Sequence, residues 1–261
     1  MTPRALRRLA VLLLGLPRAA AAVPTEGDAP ERPPVTAAAT TASGAFLPLG
    51  APARNDAQRA YLYLQGGYDA ARGGAVFDTT VQANIVGPLS LRGGPAYVGP
   101  DGALRPSVAL TVQALRQSSH GVDLSVYGGY QAQGFNTVPA ANLVVAVGRT
   151  FGRLTLLSNV GYGYGLDEGE HYGELRVAGL VRALPDLHVG LDARARVDLE
   201  RDADEPENEP DFDVVAGPVV TWTVGHLAVS ASGGVSAIKY RLAETPTAVS
   251  AIGQLLVGSS F

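Results

Sequence analysis

The sequence has no cysteine in its 261 residues, which excludes a disulfide framework, a thiol nucleophile and a thiolate metal site. Charged residues make up only 17% of the chain, and 20 basic against 24 acidic residues give a formal net charge of -4. That balance gives no indication of a nucleic-acid partner. No window reaches the roughly 18 consecutive apolar residues that a membrane-spanning helix needs. The composition therefore excludes a helical membrane protein and leaves backbone pairing and side-chain packing to hold the fold.

The N-terminus has the layout of a secretory signal peptide. Arg4, Arg7 and Arg8 precede an apolar run over 9–16, and small residues follow over 19–22. This order predicts a signal peptide over 1–22 and hence export. Residues 23–57 are rich in Pro, Ala and Thr, a composition that predicts a disordered periplasmic tail. The remaining 58–261 are predicted to form one domain.

That domain is dominated by strict alternation of apolar and polar residues. In the stretch "LHVGLDARARVDLERD" (187–202) every odd-numbered position from 187 to 199 is apolar, and the positions between are mostly charged. Period two indicates an extended strand with one apolar and one polar face. Twelve such strands are predicted: 59–70, 75–86, 88–97, 104–117, 121–134, 139–150, 153–166, 171–184, 187–200, 211–223, 226–238 and 247–261.

The connections between these strands fall into two classes. Tight turns, such as "GP" at 87–88 and "PD" at 185–186, follow even-numbered strands, whereas mostly longer polar loops, such as "DADEPENEP", follow odd-numbered strands. Short turns at one end and long loops at the other are typical of an outer-membrane barrel. The predicted fold class is therefore all-β, a single transmembrane antiparallel up-and-down β-barrel of about twelve strands. An exported soluble β-sandwich of the adhesin or carbohydrate-binding kind is the alternative.

Aromatic residues and the polar faces favour lipid over a soluble core. The outward-facing aromatics concentrate at the strand ends, where an outer-membrane barrel carries two aromatic girdles. The predicted girdle residues are Tyr130, Phe151, Tyr162, Tyr164, Phe212 and Trp222. Several strands keep the opposite face polar over their whole length, which a soluble closed barrel would bury.

The last strand carries a resemblance to a known family. "TAVSAIGQLLVGSSF" alternates apolar residues and ends on Phe261, and it resembles the C-terminal assembly signal of Gram-negative outer-membrane β-barrel proteins. The resemblance implies an outer-membrane location, contact with outer-membrane lipid and lipopolysaccharide, and recognition of the C-terminal strand by the barrel-assembly machinery. It reaches no particular subfamily.

The eighth and ninth strands place a charged ladder inside the predicted lumen. If Ala183 lies opposite Leu187, Glu174 faces Arg196 and Arg176 faces Arg194, which gives one ion pair beside two neighbouring guanidiniums. The predicted ladder residues are Glu174, Arg176, Arg194, Arg196, Asp192 and Asp123. Two interpretations remain open: an arginine ladder that selects anions in a narrow pore, or arginines that pair with acids and fill the lumen. Glycines on the inner face would widen the pore.

An acidic run follows the ninth strand and forms a predicted extracellular rim. Its residues include Asp198, Glu200, Asp202, Asp204, Asp211 and Asp213. Such a run usually forms a solvated loop. Binding of a divalent cation that bridges lipopolysaccharide phosphates is the alternative, although the spacing lacks a calcium-loop pattern. No metal or cofactor is therefore assigned.

Two classes of barrel hydrolase are the enzymatic alternatives for the predicted barrel. An outer-membrane phospholipase would need a serine and a histidine together on the lipid-facing wall, and Ser158 has no outward histidine near it in the predicted strands. An omptin-like protease would use rim acids and a histidine, and the candidates are Glu168, Glu170, His171, Asp211 and Asp213. That family has fewer strands, so no catalytic residue is assigned. The sequence predicts a non-enzymatic passive channel for small solutes, with a non-conducting structural or adhesion barrel as the alternative.

Overall fold

The computed structural model describes the strands and tight turns of the barrel domain. The described residues are 61–69, 74–98, 103–131, 140–166, 169, 171–199, 210–240 and 247–260. The predicted signal peptide, the predicted tail and the terminal Phe261 lie outside this part of the chain.

Twelve β-strands form the domain, as the alternation predicts. They are β1 (Tyr61–Asp69), β2 (Gly74–Val86), β3 (Leu89–Val98), β4 (Ala103–Leu115), β5 (Asp123–Gln131), β6 (Ala140–Phe151), β7 (Leu154–Gly165), β8 (His171–Leu184), β9 (Leu187–Asp198), β10 (Pro210–Val224), β11 (Leu227–Tyr240) and β12 (Ala248–Ser260). Each strand lies within a few residues of its predicted position.

The strands close into an up-and-down barrel in chain order. Each strand pairs antiparallel with its neighbours in sequence, and β1 closes the sheet against β12 from Tyr61↔Ser260 to Asp69↔Ile252. Closure leaves no unpaired strand edge, which is the condition for a sheet to lie in hydrocarbon. The predicted single antiparallel barrel is confirmed, and the sandwich alternative is wrong.

The connections at one end of the barrel, here called the turn end, are tight. Phe151 and Leu154 pair across the two turn residues Gly152 and Arg153. Gly152 takes a φ of 58°, a left-handed conformation that glycine adopts without steric cost. The link between β4 and β5 is the exception, because a four-residue helix, α1 (Gln117–His120), stands where a simple turn was predicted. In the described part of the chain, no helix is long and apolar enough to cross a membrane.

The two faces of the sheet differ sharply in chemistry. Large apolar side chains remain exposed on the outer wall at mid-strand, as at Leu191, which is 68% exposed, and Leu143, which is 56% exposed. Soluble monomers rarely expose apolar patches larger than a few hundred Å², so a continuous apolar wall of this kind suits hydrocarbon. The inner face buries a mixture of apolar and polar side chains, with Leu180 and Ser230 both fully buried.

Candidate functional site

The charged cluster inside the barrel is built on the β8–β9 hairpin. The register places Glu174 opposite Arg196 and Arg176 opposite Arg194, so the predicted facing pairs are confirmed. The predicted pairing of Ala183 with Leu187, from which that register was derived, is wrong. Leu184, not Ala183, lies opposite Leu187, because the pairing shifts between Arg182 and Leu184, and such a bulge adds one residue to one strand near a turn.

Two ion pairs of this cluster were not predicted. Arg176 pairs with Glu174, two positions away on the same strand. Arg194 pairs with Asp213 of β10. The guanidinium of Arg196, which lies opposite Glu174, also stacks on a ring, with its central carbon 3.8 Å from the centroid of Tyr172. Both observed pairs join groups that protrude on the inner face.

Asp213 was predicted to lie in the acidic rim, and this placement is wrong. Asp213 is 2% exposed, and its carboxylate pairs with Arg194. Asp213 belongs to the alternate positions of β10 whose side chains point to the inner face. Its closeness to the acidic loop in sequence therefore gives the wrong location. Asp198, by contrast, is half-buried at the loop end of β9. Of the other rim residues, Glu200, Asp202 and Asp204 lie outside the described residues, and the side chain of Asp211 is not described.

Asp123 also differs from its predicted place in the ladder. It begins β5 at the turn end, where its carboxylate accepts a hydrogen bond from the Gln117 backbone N–H at 2.7 Å. Its carboxylate therefore fastens the start of α1 to the barrel. Asp192 remains on the inner face of β9, 2% exposed, with Arg176 as its main electrostatic neighbour.

Two tyrosines that the sequence analysis did not single out cross the interior. The Tyr172 hydroxyl on β8 donates a hydrogen bond to Asn142 Oδ1 on β6 at 2.5 Å. This contact passes over β7 at Gly163, where an added Cβ would lie 2.0 Å from the Tyr172 ring. The inner-face glycines were predicted to widen the lumen. Gly163 instead makes room for the aromatic ring of Tyr172. The second tyrosine, Tyr127 of β5, lies beside Arg176 of β8.

The cluster is closely packed, and two of its arginines are paired with carboxylates. Arg176 and Arg194 are 4% and 3% exposed. A small cavity lies beside them, lined in part by Asn142, Tyr172, Glu174 and Arg176. Tyr172 and Tyr127 both have inner-face parity, which is the sequence signal that could have assigned them to this site.

The predicted girdle residues lie on the outer wall near the strand ends. Phe151 and Trp222 are exposed at the turn end, Tyr162, Tyr164 and Phe212 are exposed at the loop end, and Tyr130 is half-buried. Tyr162 and Tyr164 flank the ring of His171 at 5.6 and 4.8 Å between centroids. The Tyr162 hydroxyl also hydrogen-bonds His171 Nδ1.

The geometry keeps Ser158 and His171 apart. Ser158 lies opposite Val177, whereas His171 lies opposite Tyr164. Six positions along β7 separate the two sites, which is about 20 Å at the rise of a strand. Glu168 and Glu170 lie outside the described residues. Among residues that the structure does describe, no group of three or more His, Asp or Glu side chains could hold a metal ion.

Comparison with known structures identifies the architecture. The KdgM porin superimposes with a TM-score of 0.52 at 6% identity, covering 77% of this chain and 99% of the porin. The NanC porin gives a TM-score of 0.52 at 9% identity, with 77% and 98% covered. The chain has a porin fold. At such low identity the likeness shows the fold alone. No protein-family model matches the sequence, and no curated protein matches it either.

Proposed function

We propose that the protein is an outer-membrane channel that passes small solutes by diffusion. The observation that carries this proposal is a closed porin-fold barrel with charged and polar side chains on the inside and an apolar outer wall. A polar interior and a lipid-facing exterior are the arrangement of a water-filled barrel in a bilayer. Likeness to the KdgM and NanC porins supports the same reading.

The cluster around Arg194 is proposed as the constriction of this channel. Side chains from non-neighbouring strands meet there, with Tyr172 of β8 bonded to Asn142 of β6. Arg176 and Arg194 each form an ion pair with a carboxylate, so their positive charges are compensated. This balance favours selection by size over the anion selectivity that a ladder of unpaired arginines would give.

Planar-bilayer recording of the refolded full chain tests the channel. We expect small, steady unitary currents from the native protein. The double variant Arg194→Ala, Asp213→Ala removes both members of an ion pair and shortens both side chains, so the unitary conductance should rise. Lys239→Ala, an exposed site on the outer wall, should leave the conductance unchanged. Absence of any current from correctly folded native protein would contradict the proposal.

A non-conducting barrel that serves as an anchor or adhesion surface is the second candidate. The dense interior favours it, since Asp192 and Arg194 are almost fully buried and a water-filled pore would expose them. The same recording separates the two functions. If the native protein gives no current and the double variant conducts, the native barrel is occluded. If both proteins give currents, the native barrel is an open channel.

A further inference from the structure

The outer wall of the barrel carries very few groups that can be charged. Among the described outward-facing side chains of the strands, only Arg149, His171 and Lys239 are ionisable at neutral pH, and none is acidic. His171 begins β8 and Lys239 is the penultimate residue of β11, both at the loop end, whereas Arg149 lies near the turn end of β6. A charge on the lipid face is costly at mid-membrane and nearly free at the headgroup level. The positions of these cations therefore point to the two interfaces.

Arg149 is held along the wall by an aromatic partner. Its guanidinium carbon lies 4.3 Å from the ring centroid of Phe151, two positions nearer the end of the strand. The outward-facing Leu156 and Leu154 lie opposite Arg149 and Phe151 on β7. A long basic side chain on an apolar wall typically directs its charge towards the interface while its stem stays in the apolar layer. Stacking on Phe151 directs the guanidinium of Arg149 towards the turn end in this way.

A second exposed arginine lies at the same end of the barrel. Arg153 lies in the β6–β7 turn, two residues beyond Phe151. Its carbonyl oxygen accepts a hydrogen bond from the backbone N–H of Arg182 at 2.8 Å. The Arg182 side chain has the parity of the inner face and lies opposite the buried His188, so it does not join the outer wall. Arg149 and Arg153 therefore place two positive charges beside the apolar wall.

We propose that Arg149 and Arg153 bind the phosphate of an anionic phospholipid, whose acyl chains lie against Phe151 and Leu156. Guanidinium groups pair with phosphate oxygens through directed, charge-assisted hydrogen bonds, and basic groups beside an apolar surface attract anionic lipid headgroups. The site requires the membrane location proposed above and does not require conduction. Its occupant is a lipid of the leaflet that the tight turns contact.

Native mass spectrometry of the refolded full chain in detergent micelles tests this site. Phosphatidylglycerol is titrated as the anionic probe and phosphatidylcholine as the zwitterionic one, at matched acyl chains. We expect the native protein to bind phosphatidylglycerol at least tenfold more tightly. Each arginine near a lipid surface contributes about fivefold to affinity. The double variant Arg149→Gln, Arg153→Gln should therefore lose most of the preference.

Lys239→Gln is the matched control, because it removes an exposed cation from the opposite end of the same wall. It should keep the native preference, and heat-modifiable gel mobility shows that each variant is folded. Equal binding of the two lipids by the native protein would overturn the proposal, as would an equal loss in the control. A preference that persists in a protein without conductance would support the lipid site while contradicting the channel.

Discussion

Replacement of Arg194 by methionine tests whether the interior ion pairs stabilise the barrel. Arg194 and Asp213 are 3% and 2% exposed, and their ion pair joins β9 to β10. Methionine keeps an extended side chain of similar reach but removes the guanidinium. The Asp213 carboxylate then loses its ion pair with Arg194 and keeps Arg196, which lies opposite it on β9, as a cationic neighbour. We therefore expect a large loss of stability from a single substitution.

The size of the loss follows from the burial of the pair. Two unit charges about 4 Å apart attract by about 4 kcal/mol at an effective dielectric constant near 20. Breaking a buried pair by removing one partner typically costs about 3–5 kcal/mol. Arg196 opposite Asp213 and water that enters the barrel beside the shortened side chain both reduce this cost, so we expect about 3 kcal/mol. With a urea dependence of about 2–3 kcal/mol per molar, the unfolding midpoint should fall by about 1–1.5 M.

The assay is urea unfolding of the refolded protein in vesicles, followed by the fluorescence of Trp222 and by gel mobility. Trp222 is the one tryptophan of the chain, so the signal has a single source. Lys239→Met, which removes an exposed cation, is the control and should change stability little. The double variant Arg194→Met, Asp213→Asn removes both charges and should recover much of the loss. A loss in Arg194→Met no larger than in the control, or no recovery in the double variant, would refute the reasoning.

Two further predictions concern the lipid-facing wall. Leu191 is 68% exposed at the middle of β9, so Leu191→Arg should destabilise the inserted barrel by about 2–4 kcal/mol. Val249→Arg, at the loop end of β12, should cost about 1 kcal/mol or less. If urea unfolding from vesicles shows equal costs for the two variants, the barrel axis does not run along the membrane normal.

Trp222 is 55% exposed near the turn end of β10, which places it at the headgroup level. Lipids brominated near the headgroup should therefore quench its fluorescence more than lipids brominated deep in the acyl chain. Stronger quenching by the deep bromines would contradict this placement.

The sequence was sufficient to predict the strands because the period of two is local information. A strand such as β9 alternates apolar and charged residues along its length, and the alternation specifies which side chains share a face whatever the partner strand is. Turn length then orders the strands, since a two-residue connection such as Gly152–Arg153 forces its neighbours to pair antiparallel. The facing of Glu174 and Arg196 follows from these two facts. The bulge between Arg182 and Leu184 changes the partner of Leu187 and leaves the pairing of Glu174 with Arg196 unchanged.

The contacts across the interior could not be predicted in the same way. Parity places Tyr172 and Asn142 on the inner face, but their hydrogen bond depends on the curvature of the closed sheet and on the space left at Gly163. The pairing of Arg194 with Asp213 likewise depends on the register between β9 and β10, across the long connection that follows Leu199. A rim position and an inner position are only a few residues apart there, which is why Asp213 was misplaced.

Local sequence specifies the two faces of the strands and their order around the barrel, because both follow from neighbours in the chain. The closed fold sets how the inner charges are matched and how closely the interior is filled. Those properties depend on which side chains closure brings together across the barrel, and residues such as Tyr127 and Arg176 lie far apart in the chain.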